Sequence, residues 1–375
     1  MSLESPREWT WNVVYTPGTV RLLLPFLQSL VDWSEHCQFR LISNGCHGDE
    51  IALLHKMASR SDRLSVEVYA ETCQVHGVVL SDLQQRETGR WFAMMDSDIF
   101  ATGPYEETFR AALENHQATF TCSPIWCGAG QEIFPNDFRG MFGVFGKLWD
   151  ERICGLTYCA VYDNAAVNHC RQKHDVDFRL RLWPKLPKSL QHLFREEDLE
   201  TYYYDTAKVL NLLLSLDGYS LNLQTTPSLI HLGGISCIKN DPLQHDHRGT
   251  RYIRQLYAQL PRFVRQAGAA VGLYRGWRSA ALSRELVYDE VRRNRRTTSC
   301  HHVSRALQEI LKTGRSSRDF AHPDRELAAT VNWVVRQLET LIGENPSGTV
   351  DVEDGAYCLK FPDSLTPSLA GRKAA

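Results

Sequence analysis

The sequence predicts an α/β fold in which a mostly parallel sheet is covered by helices. Three observations predict it. Apolar runs of strand length alternate with runs of helical periodicity through the first hundred residues. Polar residues collect where the predicted strands end. Beyond residue 242 the pattern turns to helices alone.

Residues 11–15 are apolar and rich in β-formers, end in Thr16, Pro17 and Gly18, and give way to helical spacing over 20–33. A second strand is predicted over 39–42, ending in Ser43, Asn44 and Gly45, with a helix over 49–58. A third strand over 64–69 precedes a helix over 78–85, and residues 91–95 form the fourth strand. In open α/β sheets ligands gather beyond the carboxyl ends of the strands. Those ends carry Thr16, then Ser43 and Asn44, then Asp96 and Asp98.

Strand-like runs recur at 119–126 and 156–161, separated by a loop rich in glycine and aromatic residues. A helix is predicted over 202–216 and a last strand over 228–231. Four further helices are predicted over 252–260, 283–293, 303–311 and 324–342. The tail from Asn345 holds Pro346, Gly348, Gly355, Pro362 and Pro367, and reads as loosely ordered.

With 43% hydrophobic and 23% charged residues, the 375-residue chain is globular material for one large or two modest domains, which excludes the disordered class. Its apolar runs, such as 209–216, fall short of the ~18 to 20 residues of a membrane span. No basic segment followed by an apolar core opens the sequence, so a cytoplasmic location is expected. The eleven cysteines include no C-x-x-C pair and read as reduced, mostly core thiols rather than a zinc knuckle. From Arg248 to Arg318 sixteen Lys or Arg stand against four Asp or Glu. That stretch reads first as a solvated helical face. Contact with an anionic membrane surface is the second reading, and nucleic acid is not expected, because no aromatic residues are interleaved to stack bases.

The sharpest local signal is Asp96-Ser97-Asp98 at the end of the fourth strand. Such triplets occur by chance in exposed loops. Here Ile99 and Phe100 continue the apolar character, so the carboxylates sit at a buried edge where charge needs a cation or hydrogen-bond donors. Two carboxylates at i and i+2 offer hard oxygen ligands to one divalent cation, which in turn can hold a diphosphate.

The run Met94, Met95, Asp96, Ser97, Asp98, Ile99 resembles the D-x-D signature of GT-A glycosyltransferases, and the order of landmarks is similar to their family 2 members. Val13 to Thr16 followed by Leu24, Leu27, Ser29 and Leu30 resembles that family's first strand and helix. Ile42 to Cys46 resembles its second strand end. His76 and Gly77 resemble a segment preceding the D-x-D strand. Asp205, Leu210, Leu213, Gly218 and Tyr219, then Ile230, His231, Leu232, Gly233, Gly234 and Ser236, resemble its downstream "ED…L…GY…HLGG.S" block.

The resemblance implies a GT-A fold, Rossmann-like, with a mixed but mostly parallel sheet flanked by helices. It divides the chain into a GT-A domain over 1–241, a helical extension over 242–344 and the tail over 345–375. Within the domain, 1–118 would be the nucleotide-sugar half and 119–241 the acceptor half. The implied activity is metal-dependent, inverting transfer of a sugar from a nucleoside diphosphate to an acceptor hydroxyl, on a glycan, a lipid-linked acceptor or a small molecule. The donor would be a UDP-sugar, with dTDP and GDP as alternatives, and the cation Mn²⁺ or Mg²⁺.

The same resemblance places Asp96 and Asp98 on the metal, with His231 as a third ligand, and Asp96 also on the nucleotide. Thr16, Ser43, Asn44, Asp82 and Ser97 would line the nucleotide-sugar site, and Asp205 would be the catalytic base. Read from residues alone, the alternative for His231 is a strand-end histidine, and for Asp205 an N-cap of a helix starting at Thr206. Asp198 or Glu200 could also supply the base. The family's base-reading Asp is Ser43 here, which shifts that role toward Asp82 or Glu71. Two other readings follow from the same residues: a sugar-phosphate nucleotidyltransferase, and a degenerate GT-A protein acting as a binding module.

Overall fold

The computed structural model of the chain describes residues 9–121, 125, 141, 146–148, 150–201, 203–233, 280–317, 319–343, 349–353 and 356–360. The predicted helix over 252–260, the strand end beyond Thr121, Gly234, Ser236 and the basic residues before 280 lie outside the described residues.

The first half follows the predicted alternation closely: β1 (Thr10–Tyr15), α1 (Val20–Asp32), β2 (Gln38–Asn44), α2 (Gly48–Ala58), β3 (Leu64–Ala70), α3 (His76–Arg86) and β4 (Trp91–Asp96). Then come β5 (Ile99–Ala101), α4 (Glu106–Leu113), β6 (Ala118–Phe120), β7 (Cys159–Asp163), α5 (Asn164–His174), β8 (Arg181–Leu182), a short 3₁₀ turn (Trp183–Lys185) and α6 (Lys188–Glu196). β9 (Tyr203–Tyr204), α7 (Lys208–Leu216), β10 (Leu221–Leu223) and β11 (Leu229–His231) complete the α/β body. α8 (Ala280–Thr313), α9 (Arg325–Gly343), β12 (Thr349–Glu353) and β13 (Ala356–Lys360) follow.

The main sheet has seven strands in the order β10-β6-β7-β4-β1-β2-β3. β4, β1, β2 and β3 run parallel, as do β10 and β6, while β7 runs antiparallel between β6 and β4. It is therefore a mixed, mostly parallel sheet flanked by helices, the α/β architecture the sequence predicts. β1 and β4 are apolar almost throughout because both faces are covered. Alternation sends Trp11 to one face, where it meets Trp9 and Phe109 of α4 with ring centroids 6.1 and 5.1 Å away. On the opposite face Phe92, Tyr162 and Phe120 join Phe178 in edge-on and tilted contacts.

The strand predicted over 228–231 is present as β11, which pairs with β5 in a two-stranded sheet outside the main one. Three expectations change. The helix predicted over 202–216 is β9 followed by α7, because Ala207, at the N-cap, takes a left-handed backbone with φ 62° and separates Tyr203 and Tyr204 from the helix. The helices predicted over 283–293 and 303–311 are one 34-residue helix, α8. The tail predicted to be loosely ordered contains the antiparallel pair β12–β13.

The helical extension shares the apolar core. Val303, Leu307 and Ile310 of α8, with Val331, Val334 and Leu338 of α9, belong to the same buried cluster as the sheet. The Cys300 thiol donates to the Gly233 carbonyl at 3.1 Å, two residues past the end of β11. Cys37, Cys46, Cys154, Cys159, Cys170 and Cys300 are buried, which fits the core role, and Cys73 is exposed. Among the described residues no helix is long and apolar enough to cross a membrane.

Candidate metal and donor site

The carboxylate triplet sits where a central strand leaves the sheet. Phe92 to Met95 are almost fully buried, so β4 has only one place to change character, its carboxyl end. There Asp96 pairs in register with Val14 of β1. The Asp96 N–H donates to the Tyr158 carbonyl at 2.7 Å, fixing the strand end against the segment entering β7.

After the Ser97 turn, β5 starts at Ile99 and pairs antiparallel with β11, with Ile99 opposite His231. The Leu232 N–H donates to the Asp98 carbonyl at 3.0 Å. This register sets His231 beside Asp98, and a slip of one residue would turn its ring to the other face.

Asp96, Asp98 and His231 thereby form a triad whose ligand atoms all lie within 4.8 Å of one another. Nε2 of His231 is 3.1 Å from Oδ1 of Asp98 and 3.5 Å from Oδ2 of Asp96. The side chains of Asp98 and His231 are 3% and 5% exposed, whereas that of Asp96 is 31% exposed, so the triad opens outward through Asp96. The His231 ring stacks on Tyr158 with centroids 4.2 Å apart.

Burial alone would push the imidazole pKa down. Asp98 first, then Asp96, outweigh it and lift His231 to about 10. The metal-free triad is thus neutralised in part by a histidine proton. Neither ring nitrogen of His231 makes a hydrogen bond of good geometry among the described residues. A buried imidazole held at ion-pair distance from two carboxylates, without such bonds, fits a divalent cation. Carboxylate oxygens suit Mn²⁺ and Mg²⁺, and the nitrogen tilts the set toward Mn²⁺.

The other expected site residues divide into two groups. Thr16, Ser43, Asn44 and Asp96 share the carboxyl edge of neighbouring parallel strands, since Tyr15 pairs with Ser43 and Val14 with Asp96. Thr16 Oγ1 is buried without a hydrogen-bond partner among the described residues, an unmet group of the kind a ligand satisfies. Ser43 is fully buried, and Ser97 lies buried in the turn between Asp96 and Asp98. The Asn44 side chain is committed to the loop after β3, donating to the Gln74 carbonyl at 2.9 Å and accepting its N–H at 2.8 Å.

The second group is engaged elsewhere. Asp82 accepts the Tyr69 hydroxyl of β3, the edge strand three places from β4. Glu71 is exposed. Glu200 pairs with Arg195 at 3.0 Å on the surface, and Asp198 occupies a left-handed turn with φ 54°. Asp205 accepts the Tyr203 hydroxyl at 3.1 Å and the Thr206 N–H at 2.8 Å. It does not cap a helix beginning at Thr206, because α7 begins at Lys208.

Two residues at the site, Tyr158 and Glu50, were not singled out from sequence, and a third, His76, was noted there only as a landmark of the resemblance and not as a site residue. His76, the first residue of α3, holds Nε2 3.9 Å from Oδ1 of Asp96, so Asp96 stands between two imidazoles. Tyr158 supports His231, and its place just before the strand antiparallel to β4 is visible only once the sheet order is known. Glu50 accepts the N–H groups of Gly18 at 2.8 Å, Val20 at 3.4 Å and His47 at 3.2 Å, tying the entry of α1 to that of α2. Its signal was present in sequence as an acidic residue in the first turn of the second helix.

No family model matches the chain, and no curated protein matches it in sequence. Among solved structures it is similar to S. aureus TarS 1-349, at 12% identity over 95% of this chain and 97% of that one, with a TM-score of 0.39. A mannosyltransferase from Pyrobaculum calidifontis, solved with GDP-Man and Mn²⁺, shares 12% identity over 90% of this chain and 85% of its own, with a TM-score of 0.37. A 4-diphosphocytidyl-2C-methyl-D-erythritol synthase from Anaerococcus prevotii shares 11% over 64% of this chain and 99% of its own, with a TM-score of 0.33. These likenesses are remote, and the chemistry has to be argued from the residues.

Proposed function

We propose that the chain is a metal-dependent glycosyltransferase that moves a sugar from a nucleoside diphosphate donor to an acceptor hydroxyl with inversion at the anomeric carbon. The observation that carries this reading is the β5–β11 register, which brings His231 to the two carboxylates closing β4.

Asp96, Asp98 and His231 would hold Mn²⁺ or Mg²⁺. When bound, the cation supplies positive charge against which a nucleoside diphosphate can depart. Asp96, partly exposed, faces the side from which a donor arrives. Thr16 offers its buried hydroxyl at the neighbouring strand end, and Ser97 fixes the turn. Tyr158 covers the imidazole and keeps water from its face. In this reading Asp205, oriented by Tyr203 and Thr206, takes the proton from the acceptor hydroxyl, the one base that direct displacement requires. The nucleotide is a uridine, thymidine or guanosine diphosphate, and the acceptor hydroxyl belongs to a glycan, a lipid-linked acceptor or a small molecule.

The nucleotidyltransferase alternative needs a free, basic phosphate cradle after β1. Here the Glu50 carboxylate already takes the Gly18 and Val20 N–H groups. Arg21, in the first turn of α1, pairs with Asp49 at 2.9 Å. An anion already occupies the place where a triphosphate would bind.

The test is calorimetry of UDP, dTDP and GDP with and without Mn²⁺, followed by donor hydrolysis and transfer assays. Metal-dependent nucleotide binding that disappears in Asp98→Ala supports the reading. Nucleotide-independent behaviour, or unchanged turnover in that variant, removes it and leaves the binding-module alternative.

A further inference from the structure

A second constellation of metal-binding side chains lies away from the triad. α5 carries Cys170 and His174 at i and i+4, one above the other on the same face. α7 ends at Leu216, and the next residue, Asp217, is its C-cap. α5 and α7 pack side by side, which carries Asp217 onto the Cys170–His174 face. Sulfur, imidazole nitrogen and carboxylate oxygen all lie within 4.8 Å of one another. Nε2 of His174 is 3.0 Å from both oxygens of Asp217.

We propose that Cys170, His174 and Asp217 form a second metal site, specific for Zn²⁺ or a similarly thiophilic divalent ion, that staples α5 to α7.

The donor set decides the class of ion. A thiolate and an imidazole select borderline and soft ions, whereas the two oxygens of the D-x-D triad favour harder ones, so the two sites sort metals between them. Zinc bonds of ~2.3 Å to sulfur and ~2.0 to 2.2 Å to nitrogen and oxygen put tetrahedral donors roughly 3.3 to 3.7 Å apart. The His174–Asp217 spacing of 3.0 Å is slightly shorter than that range, and the Cys170 sulfur lies within 4.8 Å of both.

Charge balance agrees. One thiolate and one carboxylate offset the two charges of a divalent ion beside the fully buried Cys170, and the remaining positive charge, that of Lys173, sits on a half-exposed side chain. Without metal, burial and the Asp217 charge push the Cys170 thiol up to about 12, so metal binding has to release its proton. Asp217 is ionised already, its pKa lowered because Lys173 and His174 outweigh the burial that would raise it. Lys173 Nζ, 2.6 Å from Oδ1, stands as the outer-shell partner that orients a ligating carboxylate, leaving Oδ2 to face the ion. The His174 side chain is 14% exposed, which gives the ion a way in.

The site is tested on the full chain, stripped with chelator and titrated with Co²⁺. The proposal expects one equivalent to develop thiolate-to-cobalt charge-transfer absorption with the visible bands of a tetrahedral ion. Both should be retained in Asp98→Ala and in Cys73→Ser, which removes the exposed thiol, and lost in Cys170→Ser. In parallel, stoichiometric Zn²⁺ should raise the melting temperature of the wild type and of Asp98→Ala while leaving that of Asp217→Asn unmoved. Absence of charge-transfer absorption in the wild type, or its persistence in Cys170→Ser, would overturn the proposal. A zinc-induced rise undiminished in Asp217→Asn would overturn it as well, and either result would leave a helix brace made of ion pairs alone.

Discussion

His231 stacks on Tyr158 with ring centroids 4.2 Å apart, and this contact closes the inner side of the carboxylate triad. The imidazole has an aromatic face behind it and carboxylates beside it, so its nitrogen is aimed at the opening lined by Asp96. Replacing His231 with Ala should therefore remove a metal ligand without opening the core. Loss of an outer-shell partner typically costs 10- to 100-fold in metal affinity, so loss of the ligand itself should exceed about 100-fold. Electron paramagnetic resonance of free Mn²⁺ would measure it, and unchanged affinity would remove His231 from the metal.

Asp205→Asn separates binding from chemistry. The amide keeps an oxygen to accept from Tyr203 and Thr206, so the local turn should persist. Transfer should fall by at least the ~10²-fold typical of losing a general base, with nucleotide and Mn²⁺ affinities unchanged. Equal transfer rates in mutant and wild type would return Asp205 to a purely structural role.

Glu50→Gln should loosen the entry to α1. The carboxylate holds three backbone N–H groups, and hydrogen bonds to a charged group contribute about 1.5 to 3 kcal/mol. A lower urea midpoint with an unchanged slope is expected. An unmoved midpoint would show that water replaces the carboxylate at no cost.

Glu106 gives a pH dependence of known sign. Burial pushes its pKa up, yet the Cys37 side chain, the Ser34 hydroxyl and the backbone N–H groups of Glu35 and His36 outweigh burial and hold it below the ordinary value. Its stabilising contribution is therefore complete above the unfolded-state value of about 4.3 and is lost as pH falls through the lower folded value. The stability gap between wild type and Glu106→Gln should be widest near neutrality and shrink in acid. A gap that stays constant through acid would mean that these bonds do not favour the ionised form.

Gly45 follows Asn44 with φ +78°, and a Cβ there would meet the backbone nitrogen of Cys73 at 2.3 Å. Gly45→Ala should destabilise the chain by more than ~1 kcal/mol and push residues 72–74 from the strand edge. Thermal melting measures the first effect. Weaker nucleotide binding would measure the second, if that edge lines the donor site as proposed.

The half of the sheet from β1 to β4 was legible because β1, β2 and β4 are apolar and largely buried, while β3, the partly exposed edge strand, still carries a run of β-formers. Asp96 and Asp98 were legible for the same reason, as a sudden change at the end of an apolar run. The join between Asp98 and His231 was not readable by periodicity, because the short strands β5 and β11 gain their meaning from pairing with each other. Resemblance alone pointed to His231. The run Tyr202-Tyr203-Tyr204 reads as the front of a helix, but the left-handed turn at Ala207, a residue with no preference for it, cuts that helix short. Asp82 looked available from sequence, and the Tyr69 hydroxyl that occupies it comes from a strand edge no linear pattern reveals.

The wide separation along the chain between the β4–β5 carboxylates and the β11 histidine sets an order of events. Closing a loop of that length is slow and gains nothing until both ends are shaped. A chain truncated before β11 would carry both acids without the His231 imidazole. In the proposed reading Mn²⁺ binding needs β11 paired with β5 as well as the end of β4, so Mn²⁺ added during refolding would register that pairing and not the first half of the sheet alone.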